Sequence, residues 1–220
     1  MSELVTSTRH DNVAVITVNN PPVNALSPGV PEGIVDQVNA ANADDAIQAI
    51  VLIGAGRGFI AGADIKHLGK PRSEKAGLVH QTLEDSPKPL VAAIHGHALG
   101  GGLEVALECN YRVAVRSAKV GLPEVLIGVL PGAGGTQRLP RVAGPKAALD
   151  MIVTGRHVPA AEALELGMIN YAVSVDQLDQ TVNELLRKMT KKSQMIYKLG
   201  REAFYTMADK SLPDALDYLQ

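Results

Sequence analysis

Glu104 stands just after three consecutive glycines, and that spacing is where chemistry could begin. The stretch Pro89 to Gly102 reads PLVAAIHGHALGGG and runs into LEVALEC. The apolar and small residues from Pro89 to Ile94 predict a strand that stops at Gly96, and LEVALEC predicts a helix. Strand, glycine turn and helix start leave backbone N–H groups free at a positively polarised helix end. A group developing negative charge can sit there, with a carboxylate one short step into the helix.

A second carboxylate, Glu124, lies between Pro123 and the apolar run VLIGVL. In such company it is either buried against a partner, for which Arg138 is a candidate, or functional. The loop GAGRGFIAGADIK adds Gly62 and Ala63, whose small size lets a ligand approach the backbone closely. N–H groups from the two loops could bind one oxygen, as an oxyanion hole does. Taken singly, each glycine loop permits a tight turn and no more, and Glu104 complements a helix dipole. Taken together, two carboxylates beside such a hole suit acid–base work on an acyl group.

Other residues carry less. His95 and His97 flank Gly96 without a third ligand at metal spacing, so no metal site is expected. Ser86 and Ser117 lack the G-x-S-x-G elbow of a serine hydrolase. Cys109 falls on the apolar helix and reads as core. GAGRG misses the full dinucleotide fingerprint, and no P-loop exists.

The elements that must position these groups follow from apolar patterning. Val13 to Val18, Ala49 to Ile53 and Tyr111 to Val115 read as strands, and Pro28 to Asn42 as a helix. Lys70 to Lys75 reads as an exposed loop, and Ala76 to Glu84 as a helix ended by Ser86-Pro87. Pro131 to Arg141 reads as another glycine loop. Helices are expected over Lys146 to Thr154, Ala160 to Leu166 and Asp176 to Lys191, the last with Leu178, Val182, Leu185 and Met189 on one face. Two more follow Ser193, the final one striped by Leu212, Ala215, Leu216 and Leu219. Each strand that leads into a glycine- or asparagine-rich turn and a helix repeats one β–loop–α unit. A core domain over 1–190 and a C-terminal helical region over 191–220 are expected.

Composition narrows the class. The 220 residues are 46% hydrophobic but only 3% aromatic, so the core must be aliphatic. A net charge of −2 provides no basic excess for nucleic acid. One cysteine fits a reducing compartment. With no run long enough for a membrane span and no signal-like N-terminus, a cytoplasmic protein is expected.

Three motifs in order, FIAGADIK, AAIHGHALGGGLE and GLPEVLIGVLPGAGGTQRLPR, resemble the crotonase superfamily, and within it the enoyl-CoA hydratases and the hydratase portion of multifunctional β-oxidation enzymes. The resemblance runs from VAVITVNNPPVNAL to ALDYLQ. It implies an α/β crotonase-like spiral of repeated ββα units with a C-terminal α-helical region that builds homotrimers, often paired as hexamers. It implies Ala63 and Gly101 as oxyanion-hole donors, Glu104 as the residue that activates water, and Glu124 as the proton donor to the α carbon. It places Arg57, Ala61, Ala63, Asp64, Ile65, Lys66 and Gly101 along the substrate, with Arg57 and Lys66 where the phosphates and adenosine of coenzyme A pass. Coenzyme A arrives as part of the substrate, and no other cofactor is implied. The activity implied is hydration of trans-2-enoyl-CoA to 3-hydroxyacyl-CoA. A Δ3,Δ2-enoyl-CoA isomerase needing only Glu124, and a non-catalytic acyl-CoA-binding homologue, are the alternatives. The segment from Lys66 to Pro87 is shorter than in many hydratases, which bears on acyl-chain preference. The end at Gln220 comes early for the family, so the C-terminal region is expected to be truncated.

Overall fold

A computed structural model describes residues 4–218. The chain opens with β1 (Val5–His10), β2 (Val13–Val18), α1 (Val30–Ala43) and β3 (Ala49–Gly54). It continues through α2 (Glu74–Gly77), α3 (Val79–Glu84), β4 (Leu90–Ile94), β5 (His97–Leu99) and α4 (Gly101–Glu108). Next come β6 (Tyr111–Val115), β7 (Lys119–Gly121), α5 (Gly135–Ala143), α6 (Pro145–Thr154), β8 (Val158–Pro159), α7 (Ala160–Glu165) and β9 (Tyr171–Val173). Three helices close it: α8 (Leu178–Thr190), α9 (Gln194–Met207) and α10 (Leu212–Tyr218).

Two sheets organise these elements. The larger runs β1-β2-β3-β4-β6-β9, antiparallel between β1 and β2 and parallel elsewhere. The smaller runs β5-β7-β8. Strands β3 and β4 (AIVLIG and LVAAI) are buried almost throughout, as expected of parallel strands covered on both faces. Gly96, at φ +69, lets the chain leave one sheet and enter the other, and a Cβ there would run into the Arg57 carbonyl. Hence β4–β5–α4 and β6–β7–α5 are successive ββα turns of a spiral, as the resemblance implies. The core is aliphatic, and Phe59 is the one aromatic among its buried residues in the described region.

Several sequence expectations are corrected here. The polar N-terminal stretch contains β1, of whose side chains only Val5 is buried; VTSTRH is an edge strand with a wet face. Strand β5 follows β4 within the stretch expected to be glycine turn, and the short β8 and β9 carry too few residues to show a period. The helix expected over Ala76 to Glu84 starts earlier, at Glu74, and is broken at Leu78. The glycine loop ends at Gly134, because α5 already includes Gly135 to Arg141. Helix α8 buries all four of Leu178, Val182, Leu185 and Met189. By contrast α9 and α10 bury no residue, and Met195, Phe204 and Leu212 are each more than 70% exposed. Leu219 of the expected stripe lies outside the described residues.

Candidate active site

Helix α4 is held at both ends. At its start, Gly100 (φ +51, ψ −127) donates its N–H to the Gly121 carbonyl at 2.8 Å. Its own carbonyl accepts from the N–H groups of Leu103 and Glu104. A Cβ at Gly102 would collide with the Ile60 carbonyl, so only glycine lets α4 dock directly on the loop that precedes Ala63. At the far end, buried Arg112 donates to the carbonyls of Cys109 at 2.7 Å and Ala106 at 3.3 Å, satisfying acceptors that a helix terminus leaves open. Cys109 is core, as expected, and burial pushes its thiol up to about 12.

The same docking brings two amides together. A Cβ on Gly101 would lie 3.7 Å from the Ala63 nitrogen. Neither the Ala63 nor the Gly101 N–H donates to any group among the described residues. The Ala63 loop is fixed from behind: Leu26 N–H donates to the Gly62 carbonyl at 2.8 Å. Asn24, almost fully buried, donates to the carbonyls of Ala55 and Gly58, each at 2.9 Å. Asn24 was missed at the sequence level because asparagine beside prolines reads simply as a turn.

The two carboxylates flank this spot in different surroundings. Glu104 is 3% exposed, and its Oε1 accepts from the N–H groups of Ala133 and Gly135, each at 2.8 Å. Its Oε2 is turned toward Gly101, 3.9 Å from where a Cβ there would lie. Glu124 sits half-buried on a 3-10 turn, Pro123–Ile127. Its Oε2 is buried without a hydrogen-bond partner. Burial raises its pKa above the ordinary carboxylate value, and the negative charge of Glu104 raises it further. Arg138, the partner considered for Glu124, lies elsewhere: it pairs with Glu84 at 2.5 Å and Glu108 at 3.3 Å.

All four groups border one cleft of about 720 Å³. Ala61, Asp64 and Ile65 also line it, whereas Arg57 and Lys66 do not and are exposed. Asp64 spends its carboxylate locally. It accepts from Lys66 N–H at 3.0 Å and Ser27 hydroxyl at 2.9 Å and faces His67, contacts that lower its pKa, the Lys66 amide most. His80 borders the cleft too and meets buried Glu108 at 2.6 Å. Glu108 follows Glu104 by one helical turn, a spacing that could have drawn attention to it. Among the described residues no cluster of three or more His, Cys, Asp or Glu is placed to hold a metal ion. No described helix is long and apolar enough to cross a membrane.

A spiral of ββα turns with paired amides and two carboxylates on one cleft defines a class, and sequence comparison agrees. Residues 8–219 match the model of the enoyl-CoA hydratase/isomerase family, and the chain belongs to that family, the crotonases. It is 40% identical to a probable enoyl-CoA hydratase of Bacillus subtilis (strain 168) over 190 residues, covering 82% of this chain and 74% of that protein. It is 47% identical to the peroxisomal bifunctional enzyme of Homo sapiens over 175 residues, 79% of this chain. The chain spans about a quarter of the length of the peroxisomal bifunctional enzymes it matches, 24% in the human case. Among solved structures, an enoyl-CoA hydratase subunit of Geobacillus kaustophilus HTA426 superposes with a TM-score of 0.92 at 36% identity, covering 99% of this chain and 88% of that one.

Proposed function

We propose that the protein is a 2-enoyl-CoA hydratase, adding water across the 2,3 double bond of a trans-2-enoyl-CoA thioester to give the 3-hydroxyacyl-CoA. The observation that carries this reading is the unlike pair of carboxylates on one cleft beside two amides without acceptors. The thioester oxygen binds between the Ala63 and Gly101 N–H groups. Water held at the free Oε2 of Glu104 attacks the β carbon, and Glu104 takes its proton. The carbon–carbon π electrons move toward the thioester, so that negative charge collects on the oxygen. One such fixed donor is typically worth about 3–4 kcal/mol. Glu124, in its acid form, then donates a proton to the α carbon as the carbonyl re-forms. The cycle closes when the proton on Glu104 returns to Glu124 through water.

The raised pKa of Glu124 supports its part as the acid, and the paired N–H donors on Glu104 support its part as a fixed base. The test is loss of the conjugated enoyl-thioester absorbance on addition of protein, with a 3-enoyl-CoA offered in parallel. Turnover of the 2-enoyl substrate is expected. Isomerisation of the 3-enoyl substrate without hydration overturns the reading in favour of an isomerase, and binding of acyl-CoA without turnover overturns it in favour of a carrier.

We also propose that the exposed apolar side chains of α9, including Met195, Ile196 and Phe204, pack against further copies in a homotrimer or a pair of them. Mass measured in solution tests this, and a monomer across the working concentration range removes it.

A further inference from the structure

Helix α4 carries two buried carboxylates one turn apart, and the proposed hydration uses only the first. Glu104 and Glu108 are 3% and 5% exposed. Residues at that spacing share a helix face, and both reach toward the segment from Ala133 to Arg138. Glu104 accepts the Ala133 N–H at 2.8 Å. The carbonyl of Ala133 accepts from Nη1 of Arg138 at 3.2 Å, and the same Nη1 lies 3.3 Å from Oε1 of Glu108. Ala133 is therefore gripped from both sides, and the grip closes a ring through α4: Glu104, Ala133, Arg138, Glu108 and back along the helix. His80 braces the same Glu108 oxygen at 2.6 Å, and Nη2 of Arg138 reaches Glu84 at 2.5 Å.

The glycines of this loop make the ring possible. A Cβ on Gly134 would clash with the Arg138 guanidinium, and one on Gly135 would come within 3.0 Å of Glu104 Oε1. Each glycine leaves room for one charged group.

We infer that Arg138 and Glu108 are positioning residues for hydration: they hold the Ala133 peptide that fixes one oxygen of Glu104 and so aim the other at the bound water. This inference rests on the hydratase reading for its kinetic consequence, but the grip itself is measurable without turnover. Arg138→Met keeps the unbranched apolar stem and removes the contacts to Ala133, Glu108 and Glu84. Its kcat, normalised to acyl-CoA binding sites, is expected to fall about ten- to a hundredfold, the scale of a misplaced catalytic group. KM should stay within about twofold, because the thioester-binding amides are elsewhere. Arg138→Lys retains the charge without the fork and should recover part of the loss. Arg141→Met, an exposed position three residues along, is the control and should match wild type. In parallel, amide exchange of the 131–139 segment should quicken in Arg138→Met. A normalised kcat within about twofold of wild type in Arg138→Met overturns the positioning role. If wild type itself shows no hydration, the hydratase reading fails on its own, and unchanged exchange in Arg138→Met then overturns the grip as well.

Discussion

The two sides of the Gly100–Gly101 turn treat a carboxylate in opposite ways. On the α4 side, Glu104 is buried and met by two backbone N–H donors. On the side of the 3-10 turn, Glu124 is half-buried, with one oxygen that nothing meets. An anion is stabilised by donors and penalised by bare burial. The same residue type thus meets paired donors in one place and bare burial in another on the same cleft. The difference comes from backbone: the Ala133–Gly135 loop turns its amides inward, while the 3-10 turn offers Glu124 little beyond its own N–H.

The largest test of that contrast removes each charge in turn. Glu104→Gln and Glu124→Gln should each reduce hydration about 10²–10⁴-fold, the span of general acid–base catalysis, while acyl-CoA binding measured by calorimetry persists. Near-normal turnover in either variant breaks the division of labour. A smaller effect is expected from Gly135→Ala. Its methyl would press on Glu104 Oε1, and kcat should fall about tenfold or more, with no change in the pH at which Glu124 titrates.

A pH profile sharpens the comparison further. The proposed hydration uses the acid form of Glu124, whose pKa is raised by burial and by Glu104. The alkaline limb of the profile should therefore be a fall in activity as pH rises through that raised value. In the residual activity of Glu104→Gln this alkaline limb should move toward lower pH, because the repelling charge is gone. An unmoved limb assigns it to another group.

The smallest expected effect is on stability. A carboxyl whose pKa is raised on folding stabilises the fold fully below its unfolded pKa. It loses that contribution as pH rises through the folded value. Ionised Glu124 therefore weighs against the fold at neutral pH, and Glu124→Gln should melt higher than wild type there. Glu124 is only half-buried, so water screens much of the penalty and the gain should be small. The two proteins should converge in acid, and a lower melting point for the variant at neutral pH contradicts the account.

Much of this was legible in the sequence where a pattern spans several residues. The strands Val13–Val18, Ala49–Gly54 and Leu90–Ile94 are apolar runs, and α8 displays its buried face at helical spacing. The glycine triplet and Glu104 announced a helix start because glycine is the residue that close backbone approach requires. Pairings made across the fold were not legible. Nothing local in VTSTRH marks an edge strand, since its one buried side chain is Val5. Arg138 could be weighed as a partner for Glu124, but which acid it meets depends on how α5 lies against α4. Asn24 works through carbonyls in a different loop. The partners of Glu108, His80 and Arg138, come from α3 and α5, so nothing local in LEVALEC marks them.

The approach of Gly102 to the Ile60 carbonyl has a kinetic consequence. Ala63 and Gly101 belong to successive turns of the spiral, and their amides face one spot only after those turns have docked. That docking follows the parallel pairing of β3 with β4, a long-range contact of the kind that forms slowly. During refolding from denaturant, helical signal should therefore return before affinity for a thioester does. The paired amides would make a late-reporting clock for assembly of the spiral, read without any added label.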